Sequence, residues 1–110
     1  MAAYTPVRLG QAQPGTGNTT VYTVPGGRSC IVKELVVCNV TNGQVALSAS
    51  LCTTGLTPGD TNRVIKDAII DPKATVIFTF DQVLPAGGFV SVTASAAASL
   101  TVTASGVEFV

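Results

Sequence analysis

The sequence predicts an all-β fold, an antiparallel β-sandwich of jelly-roll type with seven or eight strands. Three observations predict it. Turn-forming clusters recur along the chain, at Pro14-Gly15, Pro25-Gly26-Gly27, Asn42-Gly43, Pro58-Gly59-Asp60, Asp71-Pro72 and Pro85-Ala86-Gly87-Gly88, each joining residues that fix or free backbone dihedrals. Between them lie stretches rich in Val, Ile, Thr and Phe, which fit a pleated, half-buried surface. In those stretches apolar and polar residues alternate with period two, and none sustains the 3.6-residue period of a helix. The strands expected are 5–12, 19–24, 29–41, 44–52, 62–70, 74–82, 88–95 and 99–109. With 110 residues and 11.1 kDa the chain holds one domain. Residues 19–110 form the sandwich, and residues 1–18 are an N-terminal arm or edge segment.

Taken in order, residues 1–18 are low in apolar content, with Gln11, Gln13 and Asn18 among Gly and Pro. They make either an edge strand or an arm that reaches a neighbouring chain. Next, 29–41 and 44–52 are expected to form a hairpin through Asn42-Gly43. Val40 then faces Val45, Cys38 faces Leu47, and Val36 faces Ala49. Glu34 opposite Leu51 spoils that stripe, and either a bulge near Lys33-Glu34 or a salt bridge at the sheet edge resolves it. The other face, with Leu35, Val37, Ala46, Ser48 and Ser50, suits a subunit contact. Farther on, Val76, Phe78 and Phe80, with Leu84 and Phe89 flanking the next turn, are expected to anchor the core. A second hairpin joins 90–94 to 100–104 and pairs Ala94 with Leu100, Val92 with Val102 and Val90 with Ala104. Its reverse face is a hydroxyl ladder of Thr93 with Thr101 and Ser91 with Thr103. The 53–62 segment is the longest loop and the best place for a partner contact.

Composition excludes several functions. Only 11% of residues are charged, and six basic residues balance six acidic ones. A neutral chain is a poor ligand for nucleic acid, whose affinity for proteins comes mainly from Lys and Arg at phosphates, and it has no polybasic membrane anchor. Without His, neither imidazole catalysis nor His-ligated metal is available. Met1 to Gly10 lacks the apolar run of a signal peptide, and no apolar stretch is long enough to span a bilayer.

Three cysteines, at 30, 38 and 52, leave one over if any pair forms, which favours a reducing site of synthesis. On one strand Cys30 and Cys38 lie about 26 Å apart at 3.3 Å per residue. The hairpin register sets Cys52 opposite Lys33. No disulfide is expected; the thiols are read as small buried hydrophobes.

No constellation carries chemistry. Asp67 and Asp71 flank Ala68-Ile69-Ile70 but match no calcium-loop spacing. With Asp60 and Asp81 they complete the Asp set, and no metal or cofactor is expected. Ser29-Cys30 and Ser105-Gly106 have no base to activate them. Gly15-Thr16-Gly17 and Gly26-Gly27-Arg28 lack the helix and Lys-Ser/Thr of a phosphate cradle. The sequons Asn18-Thr19-Thr20 and Asn39-Val40-Thr41 arise by chance in a Thr-rich chain. An enzyme is not expected.

Val24-Pro25-Gly26-Gly27-Arg28 leads into Ile31-Val32-Lys33-Glu34-Leu35-Val36-Val37-Cys38-Asn39, and a small-residue strand follows. Leu84-Pro85-Ala86-Gly87 makes a later turn, and Ser105-Gly106-Val107-Glu108 lies in the closing strand. Over residues 20–109 this pattern resembles small virion structural proteins encoded by tailed bacteriophages. The resemblance implies a β-sandwich or jelly roll on a capsid, neck or tail fibre, often trimeric, made in the host cytoplasm and resident in the virion. A surface of Ala, Ser, Thr and Val is compatible, since such side chains lose little entropy on packing and bury few charges at an interface.

The expected function is therefore that of a capsid decoration (cement) protein. It would bind the major capsid protein, or other virion proteins, on the outer shell as a homo-oligomer with a trimer favoured. The alternative is a neck, tail or fibre module that recognises a host surface glycan or protein, for which Tyr4 and Tyr22 are the exposed aromatic candidates. Expected partner contacts are Ala2, Tyr4 and Arg8 on the arm, Leu56 and Asp60 in the 53–62 loop, and Arg28 and Arg63.

Overall fold

The computed structural model describes the backbone of residues 4–109 and the side chains of residues 7–109. Eight strands follow in order: β1 (Tyr4–Ala12), β2 (Thr19–Thr23), β3 (Ser29–Asn39), β4 (Val45–Cys52), β5 (Arg63–Ile70), β6 (Thr75–Leu84), β7 (Phe89–Ala94) and β8 (Leu100–Phe109). Each lies within two residues or so of a segment expected from the alternation. They form two four-stranded antiparallel sheets, ordered β1-β8-β3-β6 and β2-β7-β4-β5. Only the β4–β5 connection stays within one sheet, and the others cross between sheets. This interleaving is that of a jelly roll, which closes two Greek keys over one core.

The core is aliphatic. Val32, Leu35, Val37, Leu47, Ile70, Val90, Val92, Leu100 and Val102 are buried between the sheets. Phe78 and Phe80 pack against this cluster only in part, because β6 is an edge strand. They seal a rim, and the expectation of an aromatic anchor is corrected; of the residues in that set only Leu84 is fully within the core.

Both expected hairpins are corrected as well. β3 and β4 lie in different sheets, so Asn42-Gly43 makes a crossover and not a hairpin. β7 lies between β2 and β4, and β8 between β1 and β3. The inward faces of β7 and β8 are still those expected, Val90, Val92 and Ala94 against Leu100, Val102 and Ala104. They meet across the sandwich, whereas the expected pairing was side by side. The hydroxyl ladder is accordingly split: Thr93 and Ser91 belong to one sheet, Thr101 and Thr103 to the other.

The parity of β3 is inverted by a bulge. A register shift falls between Val32 and Glu34 against both neighbours of β3, the first of the two alternatives expected there. Its consequence is that Cys30 and Val32 face inward before it, and Leu35, Val37 and Asn39 after it. Val36 and Cys38 turn outward, and Val40 is exposed. Leu35 and Val37 are thus core residues and not a subunit contact. Ser48 and Ser50 are buried, under side chains of β5: Asp67 meets the Ser48 hydroxyl, and Arg63 donates to Ser50 Oγ at 3.1 Å. Cys52 lies opposite Phe89, not Lys33. All three thiols are free.

Candidate functional site

Strand directions decide which loops share an end. β2, β4 and β6 finish, and β3, β5 and β7 begin, at the same end of the sandwich. The 24–28, 53–62 and 85–88 loops therefore cluster there, beside the start of β1 and the finish of β8, where Tyr4 pairs with Phe109. Backbone and side-chain bonds weld them. Val24 N–H donates to the Gly88 carbonyl at 2.8 Å, and Gly87 N–H returns to the Val24 carbonyl at 3.0 Å. Thr54 Oγ1 donates to the Ala86 carbonyl at 3.3 Å. Gly87 sits at φ 82°, in the left-handed region where a side chain is strained, and a Cβ there would meet Thr54 Oγ1 at 2.2 Å.

Most of the expected contact residues meet at this end. Arg28, on the first of these loops, pairs with Glu108 of β8 at 3.3 Å. Leu56 is 51% exposed at the tip of the long loop. Asp60, exposed to solvent, accepts from Lys66 Nζ at 3.0 Å and lies 3.8 Å from Arg63 Nε. The Arg63 guanidinium is largely covered and donates to Ser50, so it braces the loop and is not a free contact. Tyr4 starts β1 at this same end, and its side chain and all of Ala2 lie outside the described residues. Arg8 stands apart, farther along β1 opposite Ser105.

Sequence reasoning gave Glu108 no role and took Tyr22 as an exposed aromatic, which is corrected: Tyr22 is half-buried and bonded to Glu108. The Tyr22 phenol donates to the Glu108 carboxylate, which also accepts from Arg28. This clamps β2 of one sheet to β8 of the other beneath the loops. A signal was present: the inward parity Leu100, Val102, Ala104, Gly106 continues to position 108, so a charge falls on a buried face and requires a partner.

Burial and hydrogen bonding shift several titratable groups near this end. Burial, then the hydrogen bond to Glu108, raises the Tyr22 phenol far above the usual tyrosine range. Burial likewise pushes the Cys30 and Cys52 thiols up, which leaves them poor nucleophiles. The hydrogen bond and charge of Lys66 hold the Asp60 carboxyl below the ordinary carboxylate value. Among the described residues no group of three or more Cys, Asp or Glu side chains is arranged to hold a metal, and no helix is long and apolar enough to cross a membrane. The arrangement can bind a surface by shape and small polar contacts.

No family model and no curated protein matches the chain. Solved structures do. VP2 from the subviral particle of infectious bursal disease virus is 13% identical and aligns over 99% of this chain and 32% of its own, with a TM-score of 0.61. The chain from the T13 viral particle of the same virus is 9% identical over 99% and 30%, with a TM-score of 0.62. That of the Gt strain is 14% identical over 98% and 31%, with a TM-score of 0.55. At these identities the likeness is one of fold. The present chain spans about a third of the length of each.

Proposed function

We propose that the chain is a non-enzymatic virion structural protein of a tailed phage, a capsid decoration protein whose loop end docks on the outer shell. The observation that carries this reading is the gathering of Tyr4, Arg28, Leu56 and Asp60, from distant points in the sequence, at one braced end of a jelly roll. Its support is the motif resemblance in the sequence together with the likeness of the fold to chains of viral particles. The neutral, small-residue surface fits docking of many copies without mutual repulsion.

The mechanism is stabilisation by linkage. A protein that binds the assembled shell and not its free subunits favours assembly by its binding free energy. Glycan recognition is less well supported: Tyr22 is half-buried with its hydroxyl spent on Glu108, so among the described residues it offers no open aromatic platform. The test is the temperature at which shells release their contents, with and without saturating protein. The proposal requires a rise of several degrees, and bound protein with no rise would contradict it.

A further inference from the structure

The outer face of the β1-β8-β3-β6 sheet holds an open depression of about 510 Å3. Val7 and Arg8 of β1, Ser105 and Val107 of β8, and Lys33 and Glu34 of β3 line it. Its floor follows from two register shifts at the same level of the sheet, one between Arg8 and Gly10 and one between Val32 and Glu34. Bulges of this kind re-aim side chains.

The charges around it are unevenly satisfied. Lys33 is committed to Asp81 at 2.7 Å. Arg8 and Glu34 have no hydrogen-bond or ion-pair partner among the described residues, although Glu34 is half-buried. A carboxylate drawn partly out of water without a partner is unfavourable. The register explains why the two do not meet. Arg8 pairs with Ser105, and Ser105 pairs with Glu34, so they flank one short residue and their strands lie about 10 Å apart at the usual inter-strand spacing.

This pattern is self-complementary under one symmetry operation. A two-fold axis running along β8 above Ser105 turns a second sheet face-down and carries its Arg8 over Glu34 of the first, and its Glu34 over Arg8. An axis across the strands would instead stack Arg8 on Arg8. Along the chosen axis β8 presents Thr101, Thr103, Ser105 and Val107, with Phe109 at its end; the short side chains around Ser105 let two sheets approach to about the 10 Å of ordinary face-to-face packing. Residue i meeting j while j meets i defines an isologous interface.

We propose that this face is a homodimer interface, in which Arg8 of each copy pairs with Glu34 of the other. It rests on neither the loop end nor the virion reading, and is measured on the purified chain alone. Light scattering across micromolar concentrations should give a dimer for the wild type. Arg8→Glu and Glu34→Arg should each be monomeric, with dissociation constants raised about tenfold or more, because each reversal turns two attractions into two repulsions. An equimolar mixture of these two variants should form a heterodimer, and the double variant R8E/E34R should dimerise again. Raising the salt from about 50 to 500 mM should weaken the wild-type dimer, since exposed charge pairs are screened within a Debye length. A monomeric or trimeric wild type would overturn the proposal. So would a dimer indifferent to both reversals and to salt, or a mixture that stays monomeric.

Discussion

The Asn39 side-chain amide, at the end of β3, donates a 3.0 Å hydrogen bond to the carbonyl of Ile70, at the end of β5 in the opposite sheet. The same amide donates to the Gly43 carbonyl at 2.8 Å, and Asn39 Oδ1 accepts from Thr41 N–H at 2.9 Å and Thr41 Oγ1 at 2.7 Å. One fully buried side chain thus shapes the 40–44 turn and ties the two sheets together. It directs the chain across the sandwich at the point where Asn42-Gly43 would otherwise favour a hairpin.

Asn39→Ala should therefore destabilise the fold by about 3 kcal/mol, because it leaves buried backbone groups unpaired as well as opening a cavity. Urea unfolding measures this as a lower midpoint at unchanged slope. A loss under 1 kcal/mol would mean that water replaces the amide at little cost.

Tyr22 makes stability pH-dependent on the alkaline side. Its phenol is raised in the folded state, so the protonated form is favoured by folding. The contribution is fully present below the ordinary tyrosine value of about 10 and is lost as the pH rises beyond it. In a Tyr4→Phe background, absorbance near 295 nm should show no ionisation until the protein unfolds. Tyr22→Phe should cost about 1.5–3 kcal/mol at neutral pH, the worth of a hydrogen bond to a charged group, and should remove that alkaline sensitivity.

Gly10 marks where β1 crosses over β2. A Cβ at this position would stand 2.2 Å from the Val21 carbonyl oxygen, whereas one at Gly26 would meet nothing within 4 Å. Gly10→Ala should lower stability by about 3 kcal/mol, the upper range for overpacking, because backbone must move. Gly26→Ala should change it by less than about 0.5 kcal/mol, as a surface substitution. Thermal melts of the pair decide the matter, and equal effects would contradict the close approach.

Leu56 tests the loop end. Leu56→Asp should leave stability within about 0.5 kcal/mol, since the side chain is exposed. It should weaken shell binding about tenfold or more if the loop tip seats in the contact. Titration of labelled protein onto shells gives the comparison, and unchanged affinity would remove the long loop from the interface.

How much of this was legible depends on what an alternating pattern encodes. Period two reveals which residues face inward, and it did so for Val90, Val92, Leu100 and Val102. It does not reveal which sheet a strand joins, because inward faces of both sheets look alike. Hence the strand segments were readable and the pairings of β3 with β6 and of β7 with β2 were not. The bulge at Lys33 was visible as a break in the stripe at Glu34, but its inversion of parity depends on the neighbouring strands. The 53–62 loop that carries Leu56 and Asp60 was readable as a run of turn formers. Its convergence with Arg28 depends on strand direction, which only topology supplies.

The central claim is that this jelly roll belongs on a viral shell, and cosedimentation tests it most directly. Purified protein is mixed with phage heads that lack it and, in parallel, with host cell envelopes. Saturable binding to heads, none to envelopes, and a reduced plateau affinity for Leu56→Asp are the predicted results. Binding to envelopes alone, or to neither sample, would contradict the claim.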